Sequence, residues 1–470
     1  MNEFLYAFAA YAVIGTAIAV MAMKGVRTQE EYYIAGRKVS GLVSALTYAA
    51  TTYSAFMMVG LVGLTYASGV GALGFELFYL VGTLFLLSYY APRVWEIARE
   101  KGCITPGDMI AMRYGREVSM VMSIIVSVAL IPYISVQLIG VSLILEKTSA
   151  MSFEVGIAIS AILIALWALL GGLRGVAWTD AVQGVFMLFM AIAAVFWVYS
   201  YGFSDTSFFD EVPKLGDLLV VPNKIWTPVR FIALVVPWFF FALTNPQVFQ
   251  RLYIPKDRGS LRRMVILFGF FGLVYTILVT FLGLELRVLT ETGRFPVVSD
   301  RDAVTPTLLR LIPPWLAVAI SISIFAAAIT TANSIVLTLS SMLTRDLFGS
   351  ERVAIGRVLL LILTVAISIF ALQRPNYIVE LAVLSSTILL CQLPLILGVF
   401  HFSRGGKVTG IATLTAGFTT AIVLSYTSAS PLGIPASVWT LMVSFAVFFA
   451  LSAFEKQQER SHSEDFQALG

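Results

Sequence analysis

Long apolar stretches recur along the chain, free of charge except for Glu76 and divided by short polar turns. A helix needs roughly 20 apolar residues to cross a bilayer core. Thirteen stretches come close to that length or exceed it: 4–23, 42–68, 72–92, 118–145, 155–173, 181–204, 231–250, 264–284, 313–344, 358–373, 381–403, 408–428 and 434–454. The second and third are separated at Ser68–Gly71, and the last two at a turn holding Pro431 and Pro435, which break a continuous helix. An odd number of spans puts the termini on opposite sides. With the N-terminus outside, 22 of the 31 Lys and Arg residues fall on the inner side, so the pattern predicts a cytoplasmic C-terminus in a cell (plasma or inner) membrane. The longest outer loops, 205–230 and 285–312, leave no room for a soluble domain, and 455–470 reads as a short cytoplasmic tail.

Composition agrees. Hydrophobic residues make up 59%, charged residues only 12%, and mean hydropathy is +0.89. A soluble chain carries about a quarter charged residues, so the sequence predicts an all-α integral membrane protein forming one domain over 1–470. Cys103 and Cys391 are the only thiols, and His401 and His462 the only histidines. These numbers are too small for a disulfide framework, a thiolate metal site or a His-based zinc centre. With few buried carboxylates as well, they argue against a membrane-embedded enzyme. The net charge of +4 resides in loop basics and does not point to nucleic acid.

Span order allows an internal symmetry. Transporters often carry two repeats of opposite topology, each opening on an interrupted helix. Five spans fall in 42–204 and five more in 227–403, preceded by one helix (1–26) and followed by two (406–454). The first set opens on TYAATTYSAFMMVG, rich in small and hydroxyl residues, and the second on a span holding Pro237 and the TNPQ of Thr244–Gln247. Both suit a broken helix, although small residues also simply pack helices closely. In the ninth span Ala327, Thr330 and Thr331 sit at i, i+3 and i+4, on one helix face. Two hydroxyls and a carbonyl are donors for a small hard monovalent cation. They equally suit threonines that bond back to their own helix or across to a neighbour.

The segments EEYYIAGRKVSG (30–41) and SALTYAATTYSAFMMVG, then GGLRGVAWTDAVQG (171–184), NPQVFQRLYIPKD (245–257) and AAAITTANSIVLTLSSMLTRDLF (326–348), resemble the sodium:solute symporter family in content and order. That family includes sodium/proline, sodium/pantothenate and sodium/glucose carriers. The resemblance covers about residues 28–405. It implies a LeuT-type core of five-plus-five inverted repeats, with one helix before and two after, and sodium as the co-transported ion. Carried over, the sodium ligands are the backbone oxygens of Ala50, Tyr53 and Ala327 and the hydroxyls of Thr330 and Thr331. The aspartate of WTD, Asp180, takes an ion-coupling or exit role, where local reading alone equally allows a helix N-cap.

Substrate-binding candidates are Thr51, Ser54, Glu76, Gln137, Trp238, Asn245 and Gln247, polar or aromatic groups at membrane depth. Glu76 is an intramembrane carboxylate, a functional candidate unless it snorkels to the outer interface. Trp238 takes the position of a pocket tryptophan in proline-transporting members, against the reading of an interfacial belt residue. Ala242 replaces those members' tyrosine, which argues against proline. Arg37 and Arg251 read as positive-inside anchors. The expected activity is sodium-coupled symport of a small organic solute (amino acid, vitamin or other carboxylate, or sugar) by alternating access. A proton-coupled carrier on the same fold and a transporter-like sensor or channel are the alternatives.

Overall fold

The computed structural model describes residues 2–23, 28–148 and 151–455; most of the expected tail, 456–470, lies outside the described residues. Every regular element among them is helical, and one isolated bridge joins Val39 to Pro255. Ten helices are long and apolar enough to cross a membrane, and an eleventh crossing comes from a pair, Gly41–Thr52 and Phe56–Ser68, bent by 50°.

Burial sorts these helices into an inner and an outer set. The apolar windows of Arg116–Glu146, Pro314–Leu347 and Ile378–His401 are 83%, 78% and 78% buried, whereas those of Tyr6–Met23 and Ala436–Phe454 are 17% and 28% buried. The outer helices therefore present most of their surface to lipid, and the inner ones to protein. Hydroxyl residues concentrate on the inner set. Ser321, Ser323, Thr330, Thr331, Ser334 and Thr338 of one helix are all buried, as expected where polar groups must find partners inside the bundle.

Several helices run beyond their charge-free windows. Gly71–Glu100 and Arg258–Glu291 carry charged turns past the bilayer, steadied by Arg258–Glu96 (2.6 Å) and Arg287–Glu291 (2.7 Å) ion pairs. The two long loops are partly helical, with Phe208–Glu211 and Val212–Leu219 in one and Val304–Leu311 in the other. Hydropathy alone does not register such short, half-polar turns.

The expected spans 155–173 and 181–204 fall on one continuous stretch, Phe153–Gly202, of 50 residues. At 1.5 Å per residue it would run about 75 Å, more than twice the ~30 Å of a bilayer core. The stretch turns at Gly172, whose φ of 50° and ψ of −161° are non-helical in a region reserved almost wholly for glycine. A Cβ there would lie 2.6 Å from the Tyr32 ring and 2.7 Å from its carbonyl oxygen. Gly172→Ala is expected to lower the thermal midpoint of the purified protein by several degrees, reflecting about 1–3 kcal/mol of backbone strain plus the clash. An unchanged midpoint would show that this turn relaxes freely.

Candidate sodium and solute site

The helix Gly41–Thr52 ends at Tyr53, whose φ of −88° and ψ of 99° are extended. The chain resumes as a π-helical turn over Phe56–Leu61. The Ala50 carbonyl, in the last turn before the break, accepts two side-chain hydrogen bonds from another helix, Thr330 Oγ1 at 3.0 Å and Thr331 Oγ1 at 3.0 Å. Thr330 also reaches the Ala327 carbonyl at 3.0 Å. Four of the five expected ligand groups thus converge. All three ligand residues of the Pro314–Met342 helix, and Ala50, are buried to 1% exposure or less. Oxygens at the C-terminal end of a half-helix, lacking their usual amide donors, form a cradle of negative partial charge. Tyr53 lies at the break itself; its ring stacks among Phe268, Phe271 and Tyr275.

Below this cradle lies a network that the sequence did not expose. Thr47, one turn before Ala50, donates to Asp180 Oδ2 at 2.6 Å and accepts from Arg251 Nε at 3.2 Å. Arg251 Nη2 reaches Ser334 Oγ at 2.5 Å, and Ser334 pairs with Thr51 at 3.0 Å. Arg251 and Asp180 are 3.9 Å apart, and both side chains are 0% exposed. Arg251 is therefore not the surface anchor its place in the sequence suggested. The break around Asn245 and Pro246 directs it into the bundle, where burying it without a carboxylate would be prohibitive. Asp180 is not an N-cap either, since it sits inside a continuous helical turn and Thr179 bonds back to Gly175 and Val176. Thr51 belongs to this ionic network. Arg37 pairs with Glu30 at 2.9 Å and donates to the Cys103 carbonyl at 2.6 Å. The missed residues stand at helical spacings from expected ones: Ser334 is Thr330+4, Thr47 is Thr51−4 and Arg251 is Gln247+4.

On the other side of the break, Trp238 is enclosed rather than lipid-facing, at 3% exposure. Its ring stacks on Phe75 (5.9 Å, 9° between planes) and meets Phe56, Tyr79, Tyr133 and Phe241 at 5.2–6.4 Å. Glu76 lies against this box at 2% exposure, so it does not snorkel. The indole N–H faces its carboxyl without closing a hydrogen bond. Gln137 accepts from the Ala55 amide at 3.3 Å, bracing the break, and Ser54 Oγ caps the Phe56 amide at 3.2 Å. The second broken helix is interrupted at Phe240 and again at Asn245, where the Thr244 carbonyl accepts from Gln392. Asn245 Oδ1, both polar atoms of Gln247, Glu76 Oε2, Trp238 Nε1 and the hydroxyls of Tyr79, Ser385 and Ser386 are buried without protein partners among the described residues. Buried polar groups without partners are places where a polar guest or water can bind.

A lid closes over the break from the loop side. Thr305 donates to the Met58 carbonyl, Arg301 pairs with Glu380, and its guanidinium lies 4.5 Å over the Tyr377 ring. Gly63 admits this contact, because a Cβ there would fall 2.0 Å from the Arg301 carbonyl oxygen. Asp302 is 5% exposed and accepts from the Ile378 amide at 2.9 Å. Burial pushes its carboxyl up to about 6, against the opposing pull of that amide and of Arg301.

A sodium/pantothenate symporter of Escherichia coli (strain K12) is 26% identical, over 96% of each chain. Among solved structures, a Na+-coupled sialic acid symporter in its substrate-bound outward-open state superposes with a TM-score of 0.84 at 16% identity, covering 97% of this chain and 99% of that one. A nucleobase-cation-symport-1 family transporter, closed with bromovinylhydantoin bound, gives 0.61 at 11% identity, covering 93% and 98%. Both show a shared fold. Residues 32–406 match the family model for sodium:solute symporters. The chain belongs to the sodium:solute symporter family, multi-pass membrane carriers that couple transport to sodium.

Proposed function

We propose that the chain carries a small organic solute into the cell with sodium, by alternating access through a core of inverted repeats. The observation that carries this reading is the meeting of the Ala50 and Ala327 carbonyls with the Thr330 and Thr331 hydroxyls at a helix break. In this reading sodium takes the place of the hydroxyl protons as the partner of Ala50, with Tyr53 supplying the fifth oxygen. The ion then ties one repeat to the other and favours the outward-open state. Asp180 serves the ion on its inward route, and Arg251 holds that carboxylate in place while the site is empty.

Trp238, Glu76, Gln137, Ser54, Asn245 and Gln247 form the solute pocket. Its aromatic box and unpaired donors and acceptors suit an amino acid, a vitamin or other carboxylate, or a sugar. Pantothenate is the first solute to test, given the relative that matches along nearly the whole chain. The architecture in this reading has thirteen spans, obtained by dividing 153–202 at Gly172 and counting each broken helix as one. The repeats are 42–204 and 227–403, with the N-terminus outside. The gradient supplies roughly 2.3 kcal/mol per charge per 100 mV, plus the concentration term.

Removing both hydroxyls tests the ion site. Thr330→Ala/Thr331→Ala is expected to weaken sodium activation of uptake at least tenfold while the protein stays folded. Unchanged sodium dependence in proteoliposomes would refute the ligand assignment. For the solute, a thermal-shift screen led by pantothenate is expected to find a ligand that stabilises only with sodium present. A ligand acting equally in choline would break the coupling.

The lid generates a pH prediction. A buried acid with a raised pKa contributes stability that is full below the ordinary carboxylate range and is lost as pH rises through about 6. The charged groups facing Asp302 are Asp300, Arg301 and Glu380. Asp302→Asn keeps an acceptor for the Ile378 amide and removes the ionisation. Its stability relative to the parent is expected to improve between pH 4 and pH 7, by up to about 3 kcal/mol. A difference that does not vary with pH would contradict this.

A further inference from the structure

A cavity of about 540 Å³ opens where the 28–40 segment meets the Gly172 turn, lined by none of the residues of the aromatic box. Lys38, Arg174 and Trp178 line it, with Val39, Val43 and Ala177 as its apolar wall. Lys38 and Arg174 are exposed and form no ion pair among the described residues. Glu31 also lines the cavity, but its carboxylate accepts from the Thr28 amide at 3.1 Å in a capping box. Arg37 is turned away toward Glu30 and Cys103.

The depth of this cavity is fixed by its neighbours. The helix Asn2–Met23 ends on this side, Gly41–Thr52 begins there, and the chain reverses at Gly172. These turns mark the membrane–water boundary, where indole rings settle and where basic pockets between helices take anionic headgroups. Trp178 is 54% exposed at the mouth. Beyond it, Val182, Val185 and Phe189 follow at helical spacings, all exposed, with Leu42 exposed on the adjoining helix. The track from 178 to 189 is about 16 Å long, one leaflet of a roughly 30 Å core.

We propose that this cavity binds an anionic phospholipid, its phosphate held between Lys38 and Arg174 and an acyl chain laid along the Trp178–Phe189 face. Charge complementarity selects the headgroup: two cations stand at the height of the phosphates, with an apolar track leading from them into the bilayer. A free anion would not use that track, and a zwitterionic lipid brings a cationic group toward Lys38. The bound lipid bridges the start of the helix that carries Thr47 and the start of the helical run after Gly172 that carries Asp180, both members of the ionic network above. Occupancy would therefore stiffen the inner end of the bundle.

The test reconstitutes the full chain in nanodiscs of equal parts phosphatidylglycerol and phosphatidylcholine and counts retained lipids by native mass spectrometry after detergent release. The parent is expected to retain phosphatidylglycerol over phosphatidylcholine by about tenfold. Lys38→Gln/Arg174→Gln is expected to bring that preference to within twofold while keeping its melting temperature. Lys101→Gln/Arg404→Gln, which removes the same charge elsewhere, is expected to leave the preference intact. Equal retention by parent and Lys38/Arg174 variant overturns the proposal, as does equal loss in the Lys101/Arg404 control, which would indicate diffuse surface attraction. Displacement of the lipid by glycerol phosphate as readily as by short-chain phosphatidylglycerol would assign the cavity to a small anion and overturn it too. The outcome is independent of the sodium ligands, because the readout requires no transport.

Discussion

A helix interrupted inside a membrane leaves carbonyl groups that water cannot satisfy, and the bundle must supply their partners. In this chain the carbonyl is that of Ala50, and the partners are two hydroxyls from one face of a neighbouring helix. Interrupting the helix costs backbone hydrogen bonds in a medium where each is worth several kcal/mol. The cost is tolerable only because Thr330 and Thr331 hold the carbonyl and Gln137 and Ser54 hold the amides of Ala55 and Phe56. The same arrangement that satisfies the break presents oxygens to a cation. In the proposed reading the structural requirement and sodium binding fall on one set of atoms.

The buried Asp180–Arg251 pair follows from the same constraint. A cation entering a dry bundle needs negative charge nearby, yet an isolated carboxylate there would be strongly penalised. Pairing Asp180 with Arg251 through Thr47 sets opposite charges side by side while leaving Asp180 Oδ1 without a partner among the described residues. Such a pair contributes little net stability compared with an apolar core. That small gain is consistent with the ion-handling role proposed for Asp180.

Hydropathy exposed most of the helices, because a bilayer imposes a length that apolar runs reveal directly. The face of Ala327, Thr330 and Thr331 was legible for a similar reason, since helical periodicity puts i, i+3 and i+4 together whatever lies opposite. What lay opposite was not legible from spacing. Ala50 contributes a backbone atom, which carries no side-chain signature, and only family likeness pointed to it. Arg251 misled because a basic residue near a span end ordinarily marks the membrane surface. The deciding fact was a second break six residues earlier, at Asn245, which turned the chain inward. The lid escaped notice because Arg301, Asp302 and Glu380 stand in and beside a loop whose helical turns are too short to show a period.

Alternating access demands that closure on each side be reversible, so each side needs contacts that break at modest cost. The loop side is closed by an Arg301–Glu380 pair at the rim, an amide bond to Asp302 and a glycine-dependent backbone contact at Gly63. The opposite side is closed by wholly buried charge, Arg251 and Asp180. Arg301 and Glu380 are partly buried, so water reaches this pair and parts it at less cost than a dry one. Buried pairs part only when something else compensates the charge left behind. In the proposed cycle this asymmetry gives a direction to the coupling: the opposite side opens only once a cation compensates Asp180, because parting the pair would otherwise leave a buried charge alone. In that reading the buried pair keeps an empty carrier from opening inward, and a cation at Asp180 lifts the restraint.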